Sequence, residues 1–235
     1  LTGTQLYRFT SEDGMRVAHL THAGEEKSPS AQIVLQALGR RPNIDGLGLD
    51  KAGVAVSDNL VVVDEEMRTS QAHIFAVGDV NARNEIVHIA IQQGEMAGYN
   101  ATHPGRPAHR MDDRLNLQVT FTDPEVASVG LTAAAAEKAG RTVRVIDYDL
   151  GWIAGASTHS DDYQGAARAV IDTDRGVLLG ATFVGPDVAE LLHAATIAIV
   201  GEVPVDRLWH AVPSYPTISE VWLRFLEEFG RPTPS

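Results

Sequence analysis

The sequence predicts an α/β chain: a doubly wound sheet, followed by an α+β unit with an antiparallel sheet and flanking helices. Three observations predict it. The short apolar run Ile74-Phe-Ala-Val77 stops at Gly78-Asp79, and helical periodicity follows from Glu85 to Ala101, which is strand–loop–helix grammar. His103-Pro-Gly-Arg-Pro107 then puts two prolines and a glycine into five residues and stops both helix and sheet. Beyond it the apolar runs pair as hairpins before helices take over.

Taken in order, Gln5–Phe9 and Met15–Leu20 read as a β-hairpin, with Ser11-Glu-Asp-Gly14 as the turn. Ala31–Leu38 is apolar enough for a strand buried on both faces, and residues 44–59, rich in Gly and Asp, read as loop. Leu60–Val63 and Ile74–Val77 are further short apolar runs. In the helix over 85–101, Ile86, Ile89, Ala90 and Gln93 share a face. Ala90, Gly94 and Gly98, spaced by four, leave room for a neighbouring backbone. After the 103–107 linker come a strand at Leu117–Thr122 and an Ala-rich helix from Thr132 to Ala139, with Thr132 as N-cap and Gly140 as stop. Val143–Leu150 alternates. Ala167–Asp172 and Val177–Val184 flank the turn Thr173-Asp-Arg-Gly176. Asp187–Ile199 is a helix with Asp187 and Glu190 as cap and reciprocal partner. Thr217–Phe229 is the last helix, striped by Ile218, Val221, Trp222, Phe225 and Phe229.

Composition narrows the function. With 19 basic and 31 acidic side chains in 235 residues the net charge is −12, which argues against nucleic acid and anionic membranes as partners. Apolar runs far shorter than a spanning helix, and no signal-peptide pattern, give the expectation of a cytoplasmic protein. With no Cys, disulfides, thiolate nucleophiles and Cys-ligated metals are excluded.

Gly78-Asp79 carries the strongest chemical signal. A carboxylate where a buried strand ends lies in the crevice where open α/β sheets bind ligands, and it accepts hydrogen bonds from a hydroxylated chain. A turn or helix N-cap aspartate is the alternative. Thr217-x-x-Glu220 is a capping box in its own right. His19 and His22 point to opposite faces of a strand and make a poor metal pair, and His159-Ser160-Asp161-Asp162 reads as a solvated loop. No G-x-S-x-G elbow accompanies Ser214 and Ser219.

Ala37-Leu-Gly-Arg-Arg-Pro-Asn43, followed by Arg68-Thr-Ser-Gln-Ala-His-Ile-Phe-Ala-Val-Gly-Asp79, resembles the pattern of the pyridine nucleotide-disulfide oxidoreductases, the flavoproteins that include lipoamide dehydrogenase and mercuric reductase. Val119–Thr132, Gly180–Gly185 and Tyr215-Pro-Thr-Ile-Ser-Glu220 are similar to later landmarks of that family, in order. The resemblance implies three segments. Residues 1–30 would end the nicotinamide-domain region, 31–107 would be the C-terminal part of an FAD-binding domain, and 108–235 a dimerisation domain pairing the chain as a homodimer. It implies FAD as cofactor and NAD(P)H as co-substrate. Gly78 and Asp79 would lie at the ribityl chain, Gly39 and Arg40 in the crossover into the FAD domain, and Val87 and His88 would offer backbone N–H groups to the flavin pyrimidine. Hydride would pass to flavin N5, and electrons on to a disulfide, metal or quinone. Trp209, Trp222, Phe225 and Phe229 would supply aromatic surface for the dimer, with an ordinary intrachain core as the other reading.

The departures are equally specific. Both G-x-G-x-x-G fingerprints and the redox cysteine pair are absent, which is the expectation for the C-terminal part of a longer flavoprotein. Where the family's disulfide reductases carry a histidine as acid–base, this chain has Tyr215, as mercuric reductases do. With an ordinary pKa near 10, a tyrosine is a poor proton shuttle at neutrality. Tyr215 and Glu220 are therefore the candidate catalytic pair, Tyr215 as hydrogen-bond donor or substrate ligand in a partner's site; a plain surface aromatic is the alternative for Tyr215. His210 is a substitute imidazole or a rim residue. As an isolated chain, the alternative is a non-catalytic dimerisation module without cofactor.

Overall fold

The computed structural model describes residues 2–81, 83, 85–112 and 114–231, which form two compact units, one up to Arg41 and one from Pro42. In the first, strands β1 (Thr4–Glu12) and β2 (Met15–His22) pair antiparallel from Thr4↔His22 to Glu12↔Met15. The turn is Asp13-Gly14, with φ of 47° and 79°, the positive pair that a two-residue hairpin needs. The expected hairpin is present and longer at both strands. Two short strands, β3 (Glu25–Lys27) and β4 (Ser30–Ala31), also pair with β2 and make it the centre of a four-stranded sheet, with Val17 and Leu20 buried.

The strand expected over Ala31–Leu38 does not form. Only Ala31 pairs, and Ile33, Leu35 and Leu38 stand 85%, 90% and 80% exposed. An apolar run becomes a doubly buried strand only between neighbours, and no described strand lies beside this one.

The second unit begins with loops and one short hairpin, β5 (Val56–Ser57) with β6 (Leu60–Val61), over a small core of Ile44, Val54 and Val61. Ile74–Val77, expected as a buried strand, keeps only a single antiparallel bridge from Phe75 to Arg68, for the same lack of neighbours. Helix α1 (Val87–Thr102) starts two residues later than its periodicity implied. It buries Ile89, Gln93, Met96, Ala97 and Asn100. Gly94 and Gly98 face open space, and the close approach is instead at Ala90, whose Cβ lies 3.4 Å from where a side chain on Gly78 would begin. The 103–107 segment is a turn that folds the chain back. His109 N donates to Asn100 Oδ1 (2.8 Å), Asn100 Nδ2 donates to His109 O (2.9 Å), and the Tyr99 ring is stacked between His103 and His109 at 4.3 and 4.1 Å.

The rest is the expected α+β arrangement. Strands β7 (Gln118–Thr120), β8 (Glu125–Gly130), β9 (Val143–Asp149), β10 (Ala166–Asp172) and β11 (Val177–Gly185) form one antiparallel sheet in the order β7-β8-β11-β10-β9. The β10–β11 turn is built by Asp172, which is 2% exposed and accepts from the N–H groups of Asp174 and Arg175. Helix α2 (Ala133–Lys138) is capped as expected, Ala135 N donating to Thr132 Oγ1 at 3.2 Å. A short α3 (Ala154–His159) follows β9. Then come α4 (Ala189–Val200), packed on β11 and β8, a single turn α5 (Val205–Leu208), and α6 (Val221–Phe229), packed on β9. Phe183, Leu191, Ala195, Val221 and Phe225 lie at the centre of the core.

Two local expectations are corrected here. Asp187 does not cap α4: its φ is +56°, its carboxylate lies 3.4 Å from His159 Nε2, and Ala189 N donates instead to Glu125 Oε2 from β8 (3.2 Å). The Thr217–Glu220 capping box does not form, because Thr217 Oγ1 donates to Ser214 O (2.6 Å) and Glu220 pairs with Arg224. Of the two readings of the C-terminal aromatics, the intrachain core is the one observed, Trp222 lying 5.9 Å from Phe183 and 5.8 Å from Phe225 between ring centroids. The apolar side chains exposed at that end are Val212 and Tyr215. Among the described residues no helix is long and apolar enough to cross a membrane.

Candidate functional site

The first candidate site is the turn at Gly78–Val80 and the helix after it. Its foundation is Arg68-Thr-Ser70. Arg68 donates to Ala72 O (2.7 Å), pairs with Glu66 (3.2 Å) and lies 4.7 Å over the Phe75 ring. Thr69 Oγ1 donates to Ile74 O (3.0 Å) and accepts from Gln71 N (3.1 Å), and Ser70 ties back to Gly53 O (3.0 Å). These residues close the loop that delivers Ile74–Val77, so this part of the motif is scaffold.

The chain then turns at Gly78, whose φ of +77° is strained for any side chain, into a 3₁₀ turn that carries Asp79 outward. The turn is fixed from behind by Gln93, which sequence reasoning had placed only on a helix face. Fully buried, its Oε1 accepts from Gly78 N (2.8 Å) and from Asn81 Nδ2 (3.0 Å), and Asn81 also donates to Ala76 O (3.0 Å). A glutamine among apolar positions at helical spacing was the only signal available for it. Asp79 is exposed on this fixed turn.

The next helix start, with N-cap Ile86, has no side-chain cap and no acidic residue in its first turn, and Val87 and His88 there are exposed. The first N–H groups of an α-helix lack intrahelical partners and, with the helix dipole, attract negative charge. The structure thus brings Gly78 up against α1. Gly39 and Arg40 belong to the first unit, exposed, with Gly39 at φ +109° and nothing near its missing Cβ.

The second candidate site is Tyr215-Pro-Thr-Ile-Ser-Glu220. Tyr215 is 77% exposed. Glu220 is buried: Oε1 is held by Arg224 and Oε2 has no donor. Hydrogen bonds from the Arg224 guanidinium to Glu227 and Glu220 hold its pKa above the ordinary arginine value. No hydrogen bond among the described residues joins Glu220 to Tyr215, so the carboxylate anchors α6 and does not orient the phenol. His210 is exposed, its N–H ending the α5 turn on Arg207 O (3.0 Å). The described residues contain no cluster of three metal-ligating side chains, and His159 is instead packed edge-on against Tyr163 at 5.3 Å. His19 and His22 bond to neighbouring hydroxyls.

Two family models match, in order. Residues 1–94 match the pyridine nucleotide-disulphide oxidoreductase model, and residues 117–224 match the dimerisation domain of the same family. The chain belongs to the pyridine nucleotide-disulphide oxidoreductase family. Dihydrolipoyl dehydrogenase of Mycobacterium tuberculosis is 38% identical over 223 residues, 94% of this chain and 47% of that protein. The enzyme of that name from Thermus scotoductus is 34% identical over 93% of this chain and 47% of its own length. The chain thus spans about half the length of the curated relatives it matches. Two solved structures share its fold. LpdA from M. tuberculosis has a TM-score of 0.84 at 24% identity, over 97% of this chain and 48% of its own. The flavoprotein disulfide reductase RclA from Escherichia coli has 0.81 at 23% identity, over 96% and 50%.

Proposed function

We propose that this chain supplies part of the flavin platform and the dimerisation surface of an FAD-dependent NAD(P)H oxidoreductase resembling lipoamide dehydrogenase and mercuric reductase. Its segments would be those expected, 1–30, 31–107 and 108–235. The observation that carries the reading is the fixed Gly78-Asp79 turn beside an uncapped α1, within a chain that matches both family models in order.

The donor set fits FAD. Asp79 offers a carboxylate to ribityl hydroxyls, and the α1 start at Val87 and His88 offers N–H groups and dipole to an electron-rich ring. For Gly39 and Arg40, in the first unit, we propose the crossover role that the family resemblance implies. Bound there, FAD supplies the redox chemistry between NAD(P)H and an acceptor, whether disulfide, metal or quinone. Tyr215, presented by the dimerisation domain of a homodimer, donates a hydrogen bond to the acceptor in the partner's site. Glu220 holds the base of that loop through Arg224.

The test is the visible spectrum of the purified protein and of Asp79→Ala. Loss of a charge-assisted hydrogen bond worth about 1.5–3 kcal/mol weakens flavin retention roughly 10–100-fold. Flavin bands in the parent that diminish in Asp79→Ala support the reading. A colourless, folded, dimeric chain supports instead a dimerisation module that binds no cofactor.

A further inference from the structure

Tyr215 is exposed, yet the backbone beneath it is among the most tightly packed in the molecule. Residue 155, in α3, is buried, and a Cβ built there would meet the Thr217 carbonyl carbon at 2.1 Å, its oxygen at 2.4 Å and Ile218 N at 2.5 Å. All three atoms are backbone, so no side chain can swing aside. Restoring ordinary contact requires a shift of about 1 Å.

The direction of that shift is decided by the surroundings. α3 cannot retreat, because Ile153 and Ala156, 2% and 1% exposed, are set in the core beside fully buried Leu150. Beyond Ile218 the chain passes through exposed Ser219 and is then fixed by buried Glu220 and Val221, 5% and 0% exposed. On the other side of Thr217 the chain is open to solvent over three consecutive residues, Ser214, Tyr215 and Pro216, all exposed. Thr217 Oγ1 donates to Ser214 O at 2.6 Å and closes residues 214–217 into one unit with Tyr215 inside it. A displacement at Thr217 is therefore carried to Tyr215.

We infer that Gly155 and Thr217 are positioning residues for Tyr215: the bare Cα of α3 sets the height of the 214–217 unit, and the Thr217 hydroxyl keeps it rigid. The inference rests on the role proposed above for Tyr215. It explains how a side chain 77% exposed on a loop is aimed. Groups that act on another molecule's reacting atoms need placement to within about half an ångström, and such placement comes from the supporting shell.

The test has two arms. In the full chain carrying 3-fluorotyrosine at position 215, 19F NMR reads the surroundings of the ring without any cofactor. Gly155→Ala and Thr217→Ala are each expected to shift or broaden the resonance, whereas Gly98→Ala, where an added Cβ meets nothing, leaves it in place. An unchanged resonance in folded Gly155→Ala overturns the proposal. Thr217→Ala adds no volume, so if Gly155→Ala fails to fold, an unchanged resonance in Thr217→Ala overturns it equally.

In the flavin-loaded protein, turnover with NADH and benzoquinone is expected to fall roughly 10–100-fold in Gly155→Ala, with flavin reduction by NADH unchanged. The double variant Gly155→Ala/Tyr215→Phe is expected to fall no further than the slower single variant. Full turnover in Tyr215→Phe overturns the role of Tyr215 on which the inference rests. Slow Tyr215→Phe with full-rate Gly155→Ala overturns the part assigned to Gly155 alone.

Discussion

Tyr163 shows how one buried hydroxyl ties the second unit to pH. Its OH donates to Pro186 O at 2.9 Å, and its ring is 7% exposed. Burial, then the negative charges of Asp187 and Glu125, push its pKa from 10.0 up to about 12. The folded state therefore holds the phenolic proton where the unfolded chain has lost it. The stability this contributes is complete below about pH 10 and disappears as pH rises toward about 12. Denaturation midpoints measured across that window are expected to fall for the parent and to lose most of the slope in Tyr163→Phe. At neutral pH the same variant costs about 1 kcal/mol for the lost hydrogen bond. Gln93 makes the complementary point. Its amide oxygen serves two donors at the Gly78 turn, a role fixed by residues twelve and fifteen positions away and therefore invisible to local pattern. Thr217 and Glu220 satisfy the capping-box spacing, but a nearby carbonyl and a nearby guanidinium take both side chains first.

Among the elements, legibility follows where each one's partners lie. The first hairpin, the α2 cap and the β10–β11 hairpin were readable because turn residue, cap and partner strand are all within a few positions. The α4 start was misread because its cap comes from Glu125, over sixty residues away. Ala31–Leu38 and Ile74–Val77 were misread because pattern reports only that a run is apolar, whereas a strand needs edges to pair with. The first of these leaves Ile33, Leu35 and Leu38 standing in water. Such segments associate edge to edge. Light scattering of the chain is expected to rise with concentration, and the double variant Ile33→Lys/Leu35→Lys is expected to suppress that rise without lowering the melting temperature of the second unit. Equal association in parent and variant would place the sticky surface elsewhere.

Across the whole molecule, the antiparallel sheet with α4 and α6 holds the principal core, and the candidate cofactor turn lies by the smaller cluster around Ile44, Val54 and Val61. That imbalance is why the dimerisation half was legible as a fold and the other half chiefly as motifs. Asp79, Val87 and His88 could be named from the sequence; the scaffold beneath them, Arg68 to Ser70 and Gln93, had to be seen.

Residues 32–38 have one more consequence. An extended, unpaired, solvent-exposed stretch is the form in which proteases accept a substrate. Chymotrypsin is therefore expected to cut first at Leu35 or Leu38, severing the chain just beyond the four-stranded sheet. Strands laid against the same stretch would shield it. The speed of that first cut thus becomes a simple gauge of whether this run has found the sheet its composition calls for.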